Sequence, residues 1–220
     1  LYDLGRSFAL LGFMIIVLQV FLAARIKWIE QPYGFDILIR FHRNMGIFAL
    51  LLILAHPFLL AAGSGRWALV LGPVVSPVVW LGRITLAVLI ASVLLSVYQR
   101  SLGLKYEPWR LVHDILSPLI IVGAFVHSFM IGADLNLALM QGIWIASAIA
   151  AVSVFVYHRL IRPRILRKHA YRVTEVVPEA PGVWTVKLAP AAGEPLFDYL
   201  PGQFQFITFF RNRGLPEEEH

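Results

Sequence analysis

Five long apolar stretches separated by short polar connections fill the chain from residue 8 to residue 157. They run over residues 8–24, 43–62, 78–97, 112–131 and 138–157. At about 1.5 Å of rise per residue, a helix of some 20 residues crosses roughly 30 Å of hydrocarbon. Buried helices of a soluble protein are the alternative, and five in succession at this length argue against it. Beyond residue 168 the period changes. Residues 171–177 and 183–188 are predicted as strands, separated by the turn formers Pro178, Pro181 and Gly182, and residues 203–210 as a third strand behind Pro201-Gly202. The pattern therefore predicts an all-α membrane helical bundle over residues 1–168, then the start of an antiparallel β domain over residues 169–220. About 50 residues are too few to close a barrel around a solid core, so the chain is expected to stop inside that domain.

Composition agrees with a lipid-solvated protein: 59% of residues are hydrophobic and 15% charged, with a mean hydropathy of +0.73, where soluble domains carry about 25% charged residues. The formal charge of +6 could suggest nucleic acid, but the basic residues sit beside apolar runs. They read as topology signals, with the lipid bilayer rather than nucleic acid as partner. Arg25, Lys27, Arg40 and Arg43 lie at the first connection, Arg100, Lys105 and Arg110 at the third, and Arg159, Arg162, Arg164, Arg167, Lys168 and Arg172 after the last span. The opposite side has only Arg6, Arg66 and Arg83. The positive-inside rule places the first and third connections and the C-terminal segment in the cytoplasm, so spans two and four both run from inside to outside. No cleavable signal is visible, and the start at Leu1 points to a fragment or processed product. The chain has no cysteine, which excludes disulfides, thiolate metal sites, iron–sulfur clusters and covalent haem attachment.

Four of the seven histidines fall in or at the edge of apolar spans: His42 and His56 on the second, His113 and His127 on the fourth. Both pairs are separated by 14 residues, a rotation about 40° short of four full turns and a rise of about 21 Å, so each pair leaves nearly one face of its helix. On two helices of the same direction, His42 is level with His113 and His56 with His127. Two haems b, one above the other and each gripped by an imidazole from either side, need this arrangement. Zinc or copper would want its ligands clustered at one level. Isolated polar residues bonding between helices are the plainer explanation, and two equal intervals on co-directional spans weigh against it.

Arg40, Arg43 and Arg110 flank these histidines and could pair with propionates of the inner haem, although positive-inside anchoring accounts for them equally well. Asp114 could orient an imidazole or be an ordinary helix-end carboxylate. Pro57 and Pro118 should kink their helices. Arg66 and Arg83 could meet outer propionates or an anionic acceptor, and Trp67, Trp80 and Trp109 read as interfacial anchors.

The segments HRNMGIFALLLILAH (residues 42–56) and HDILSPLIIVGAFVH (113–127), the basic segment, and FDYLPGQFQFI near the C-terminus together resemble the ferric reductase-like transmembrane superfamily, most nearly its bacterial NADPH oxidase homologues. The resemblance implies six spans in the intact protein, one of them before Leu1, in a bacterial plasma membrane with the C-terminal domain cytoplasmic. It implies an FAD-binding β-barrel in which Pro201, Gly202, Gln203 and Phe204, and His220 from a flavin motif, touch the cofactor. It further implies an NADPH-binding lobe that this chain lacks, so the chain alone should not oxidise NADPH. Electrons would pass from cytosolic NADPH through FAD and the two haems to an external acceptor, oxygen giving superoxide or else a ferric or cupric chelate. A quinone-linked cytochrome b subunit and a non-enzymatic haem-binding module are the rivals. Oligomeric state is not legible.

Overall fold

The computed structural model describes residues 1–166, 171–190, 207–208 and 218–219 and divides into two units, Leu1–Tyr157 and His158–His220. Helix α1 (Tyr2–Ala23) leads through the short α2 (Lys27–Tyr33) to α3 (Phe35–Ser64). The short α4 (Ala68–Leu71) precedes α5 (Pro77–Val97) and α6 (Tyr106–Ile131). A 3-10 turn (Ala133–Asn136) introduces α7 (Ala138–Val156), and the helical run continues as a π turn (Tyr157–Ile161) and α8 (Arg162–Leu166). Five of these helical segments are long and apolar enough to cross a membrane, as the sequence predicts, and the protein is a multi-pass membrane protein. Large apolar side chains such as Leu51, Leu119, Leu139 and Ile149 face outwards uncovered. A bilayer solvates them, and helices satisfy their own backbone groups there.

Helix ends follow local chemistry. Gly65 stops α3 in the left-handed conformation, at a φ of 70°, the angle at which glycine has no Cβ penalty. Ser76 caps α5, its hydroxyl accepting from the Val79 N–H at 3.4 Å, with Pro77 in the first turn. Both α3 and α6 run unbroken past Pro57 and Pro118.

Predicted and observed spans differ most at three N-termini. α1 begins at Tyr2 rather than 8, α3 at Phe35 rather than 43, and α6 at Tyr106 rather than 112. Hydropathy marks the depth of the lipid, whereas backbone hydrogen bonding carries a helix on into the polar interface. Arg40 consequently lies on α3 instead of in a connection, and His42 sits about two turns inside its helix.

Two antiparallel pairs make the bundle. α1 packs on α3 with Tyr2 beside Gly63 and Gly12 beside Ile53; a Cβ at Gly12 would stand 2.5 Å from the Ile53 side chain, so the missing side chain sets how closely the helices approach. α5 packs on α6 with Gly82 beside His127 and Thr85 beside Gly123. One buried cluster joins the pairs through Ile15 and Ile16 of α1, Ala49 and Leu52 of α3, Leu89 of α5, and Ile120 and Ile121 of α6. A second ties α7 in: Trp144 stacks on Phe13 with ring centres 4.9 Å apart, and its Nε1 donates to Ser128 Oγ at 2.9 Å.

In the second unit, β1 (Tyr171–Ala180) and β2 (Val183–Pro190) form an antiparallel hairpin around Pro181-Gly182, Gly182 having a φ of 78°. Pro178 belongs to β1 rather than to the turn. It is paired with Trp184 beside a register shift, the kind of place in a strand where proline is found. β3 (Ile207–Thr208) pairs with β4 (Glu218–Glu219); the rest of the predicted strand 203–210 lies outside the described residues.

Candidate functional site

The bundle brings His42 and His113 together and sets His56 and His127 at a second level on the same two helices. The rings of His42 and His113 lie 6.2 Å apart between centres, with their planes at 75°. His56 and His127 follow 14 residues further along the same two helices. About 21 Å of helical rise separates the levels. Ala49 and Ile120, seven residues from each histidine of their helix, are buried midway with Leu52, Leu89 and Ile121. The space between levels is therefore apolar and packed.

The two partner helices, α1 and α5, set the ring orientations. His56 Nδ1 is 2.9 Å from the carbonyl oxygen of Gly5, and His127 Nδ1 is 2.8 Å from that of Val78. A carbonyl only accepts, so each Nδ1 carries the proton and each Nε2 keeps a lone pair free for a metal. His113 Nδ1 lies 3.4 Å from Ser96 Oγ, which itself donates to the Ser92 carbonyl at 2.7 Å. His42 is placed beside the backbone of Gln19. None of these supports was anticipated, yet a signal was present: Gly5 and Gln19 are 14 residues apart, and so are Val78 and Ser92. The histidine interval recurs on the helices that face them.

Gly82 is equally part of the site. A methyl group at this position would overlap Cε1, Nδ1 and Nε2 of His127. The ring lies where a side chain of α5 would otherwise stand.

The other predicted residues are less concentrated. Arg40 and Arg43 are exposed; helix phase turns them about 200° and 100° away from His42. Arg110 is half-buried one turn before His113, its guanidinium 5.9 Å from the Tyr106 ring centre. Asp114 is half-buried next to His113. Trp109, expected as an interfacial anchor, stacks instead on His113 with ring centres 5.7 Å apart and planes at 25°. Its Nε1 is buried and bonds to nothing. Trp67 and Trp80 are exposed, as anchors would be. Arg66 is exposed and lines an open depression with Trp67, Val79 and Ile131. Pro201, Gly202, Gln203, Phe204 and His220 lie outside the described residues.

Arg83 is bound to the protein itself rather than turned outwards to an anion. Its guanidinium donates to the carbonyls of Gly72 at 2.7 Å, Ala68 at 2.8 Å and Leu69 at 3.0 Å, and lies 4.9 Å from the Trp80 ring centre. A cation at the C-terminal end of α4 satisfies carbonyls left over by the helix. Arg83→Ala should cost roughly 1.5–3 kcal/mol of stability, read as a lower unfolding temperature in detergent. An unchanged temperature would mean that the guanidinium does not hold this segment.

Among the described residues no group of three or more His, Asp or Glu side chains gathers to hold a metal ion. Each level offers two imidazoles. The sequence matches the family model described as ferric reductase like transmembrane component over residues 8–124, a range that includes His42, His56 and His113 and ends three residues before His127. No curated protein matches the chain. Over half the chain answers to this one family model, and the chain belongs to the ferric reductase-like transmembrane family, for which transmembrane electron transfer is the general class of activity.

Proposed function

We propose that the chain carries electrons across the membrane by holding one haem b between His42 and His113 near the cytoplasmic face and a second between His56 and His127 towards the outside. The observation that carries this reading is the His42–His113 distance. A metal-bound imidazole nitrogen lies about 2 Å from the metal, and the ring centre about 1 Å further, so two imidazoles on opposite sides of one ion have centres about 6 Å apart. The observed 6.2 Å fits that span, and the 75° between planes is compatible with it because each ring can turn about its bond to the metal. His42 and His113 would hold a haem at one level and His56 and His127 at the other. When bound, haem supplies one-electron iron chemistry at a potential set by its ligands and surroundings.

The chain's own residues do the rest. Gly5 and Val78 aim two imidazoles, Gly82 makes room for one, and the layer around Ala49 and Ile120 keeps water from between the levels. The Trp109 indole N–H, buried and unpaired, and Arg110, one turn from His113, are the available donors for haem carboxylates; Arg43 is a more distant candidate and Arg40 the least favourably phased. FAD reduced by NADPH in the C-terminal domain is the proposed donor. With all four imidazoles engaged, a haem at each level would supply outer-sphere one-electron transfer, and superoxide would be the product with oxygen as acceptor. A negative cell interior would favour outward transfer by roughly 2.3 kcal/mol per charge per 100 mV across the full thickness. The family's description favours a ferric chelate as the second reading of the acceptor. Superoxide dismutase-sensitive cytochrome c reduction by the intact protein separates the two.

The reading predicts about two haems b per chain by the pyridine haemochromogen assay, one for each histidine couple. Intact protein with fewer than one would overturn it.

A further inference from the structure

Trp109 Nε1 is buried and has no hydrogen-bond partner among the described residues. An indole nitrogen can only donate; it has no second tautomer, as an imidazole has, and no oxygen to exchange with by turning over, as an amide has. A buried N–H of this kind is costly until an acceptor meets it. Its ring stacks on His113 with centres 5.7 Å apart and planes at 25°, and the Tyr106 ring centre is 5.6 Å away. These contacts hold the donor beside the ligand. The carboxylates of the same helix do not answer it. Glu107 and Asp114 leave α6 about 160° and 140° round from Trp109. Arg110 offers donors only, and hydrocarbon offers no acceptor. The acceptor this donor requires is one that comes with the metal, since a haem b carries two carboxylates on one edge.

Two axial imidazoles leave a planar cofactor one freedom, rotation about the line that joins them. A hydrogen bond off that line removes it. We propose that the Trp109 N–H donates to a carboxylate of the haem held by His42 and His113, and so turns the carboxylate edge of that haem towards the N-terminal end of α6. This role rests on the two-haem reading and adds to it the contact that sets the cofactor's rotation. A hydrogen bond to a charged group is worth about tenfold or more in an equilibrium constant. It also offsets part of the carboxylate's negative charge, which otherwise favours the ferric state; hydrogen bonds and net charge are among the levers that set such potentials. Trp109→Phe keeps an aromatic ring against His113 and removes only the N–H. The haem of this level should then be lost about ten times faster, and its midpoint potential should become more negative. The other haem should change in neither respect.

The tests are haem transfer from the membrane-embedded protein to apomyoglobin, potentiometric titration followed in the optical spectrum, and ultraviolet resonance Raman spectroscopy of the indole N–H. The component of the His42–His113 level is the one missing in His113→Ala. Faster loss and a negative shift confined to that component in Trp109→Phe support the proposal. Two haems held and poised as in the unmodified protein overturn it, because the ring then matters and its N–H does not. Equal changes at both levels overturn it too, and either result leaves the two-haem reading standing. If Trp109→Phe does not accumulate, the unmodified protein carries the same decision. Produced with and without a haem supply, it should gain one hydrogen-bonded indole when haem is present. Indole signals unchanged by haem, with two haems counted, overturn the proposal alone. Fewer than one haem in the unmodified protein overturns both.

Discussion

Replacing His127 with alanine should, on the two-haem reading, remove the outer haem, halve the haem content of the purified protein and abolish electron delivery to an external acceptor. The structure makes the loss specific. His127 is seated against the Val78 carbonyl at 2.8 Å, and among the described residues no third His, Asp or Glu gathers at either level to take its place. His56 would remain, bonded to Gly5 at 2.9 Å, as a single axial ligand. Losing even an outer partner of a metal ligand typically costs 10–100-fold in affinity or activity, so losing the ligand itself should cost at least about 100-fold. The inner couple, about 21 Å away along the helices and behind the Ala49–Ile120 layer, should keep its low-spin spectrum. The pyridine haemochromogen assay and a dithionite difference spectrum measure both outcomes. Full retention of two haems would remove His127 from the site.

Gly82→Ala should have nearly as large an effect without touching a ligand. In an open helical position this change stabilises by up to about 1 kcal/mol, because alanine is the better helix former. Here the new methyl group would occupy the space of the His127 ring. The ring must then leave the Val78 carbonyl, or α5 must move away from α6. Outer haem content should fall by more than half, with the inner haem retained. Gly142→Ala, on α7 away from the histidine helices, is the matched control. Nothing lies within 4 Å of the Cβ it would add, so both haems and the stability should survive. If the two variants behave alike, the overlap with His127 is not what governs the site.

Much of the architecture was legible because the membrane imposes one rule on every span: about 20 apolar residues, all helical. Helical rise and direction alone pair the four histidines by level, and the His42–His113 contact matches that pairing at one level. What escaped was whatever depends on two helices at once. Gly82 reads as an ordinary small residue until α6 is laid against α5. Gly5 and Val78 act through main-chain oxygens, which leave no mark on residue type. Trp109 has the composition of an interfacial anchor, and only its stacking on His113 reveals another surrounding. Arg83 shows the reverse error: a charge on the sparsely charged side suggested an external anion, whereas nearby carbonyls of the α4 segment already satisfy it. Helix starts were misplaced by six to eight residues because hydropathy sees lipid depth and not hydrogen bonding.

The shared interval of 14 residues also determines where the gene can change in length. One residue inserted between His42 and His56, or between His113 and His127, would turn everything beyond it by about 100° and raise it by about 1.5 Å. An imidazole displaced in this way would face lipid or a neighbouring helix, and the carbonyl opposite would lose its partner. The same holds for α1 between Gly5 and Gln19 and for α5 between Val78 and Ser92. Insertions and deletions should therefore be confined to the connections between spans, while these four segments keep their residue count.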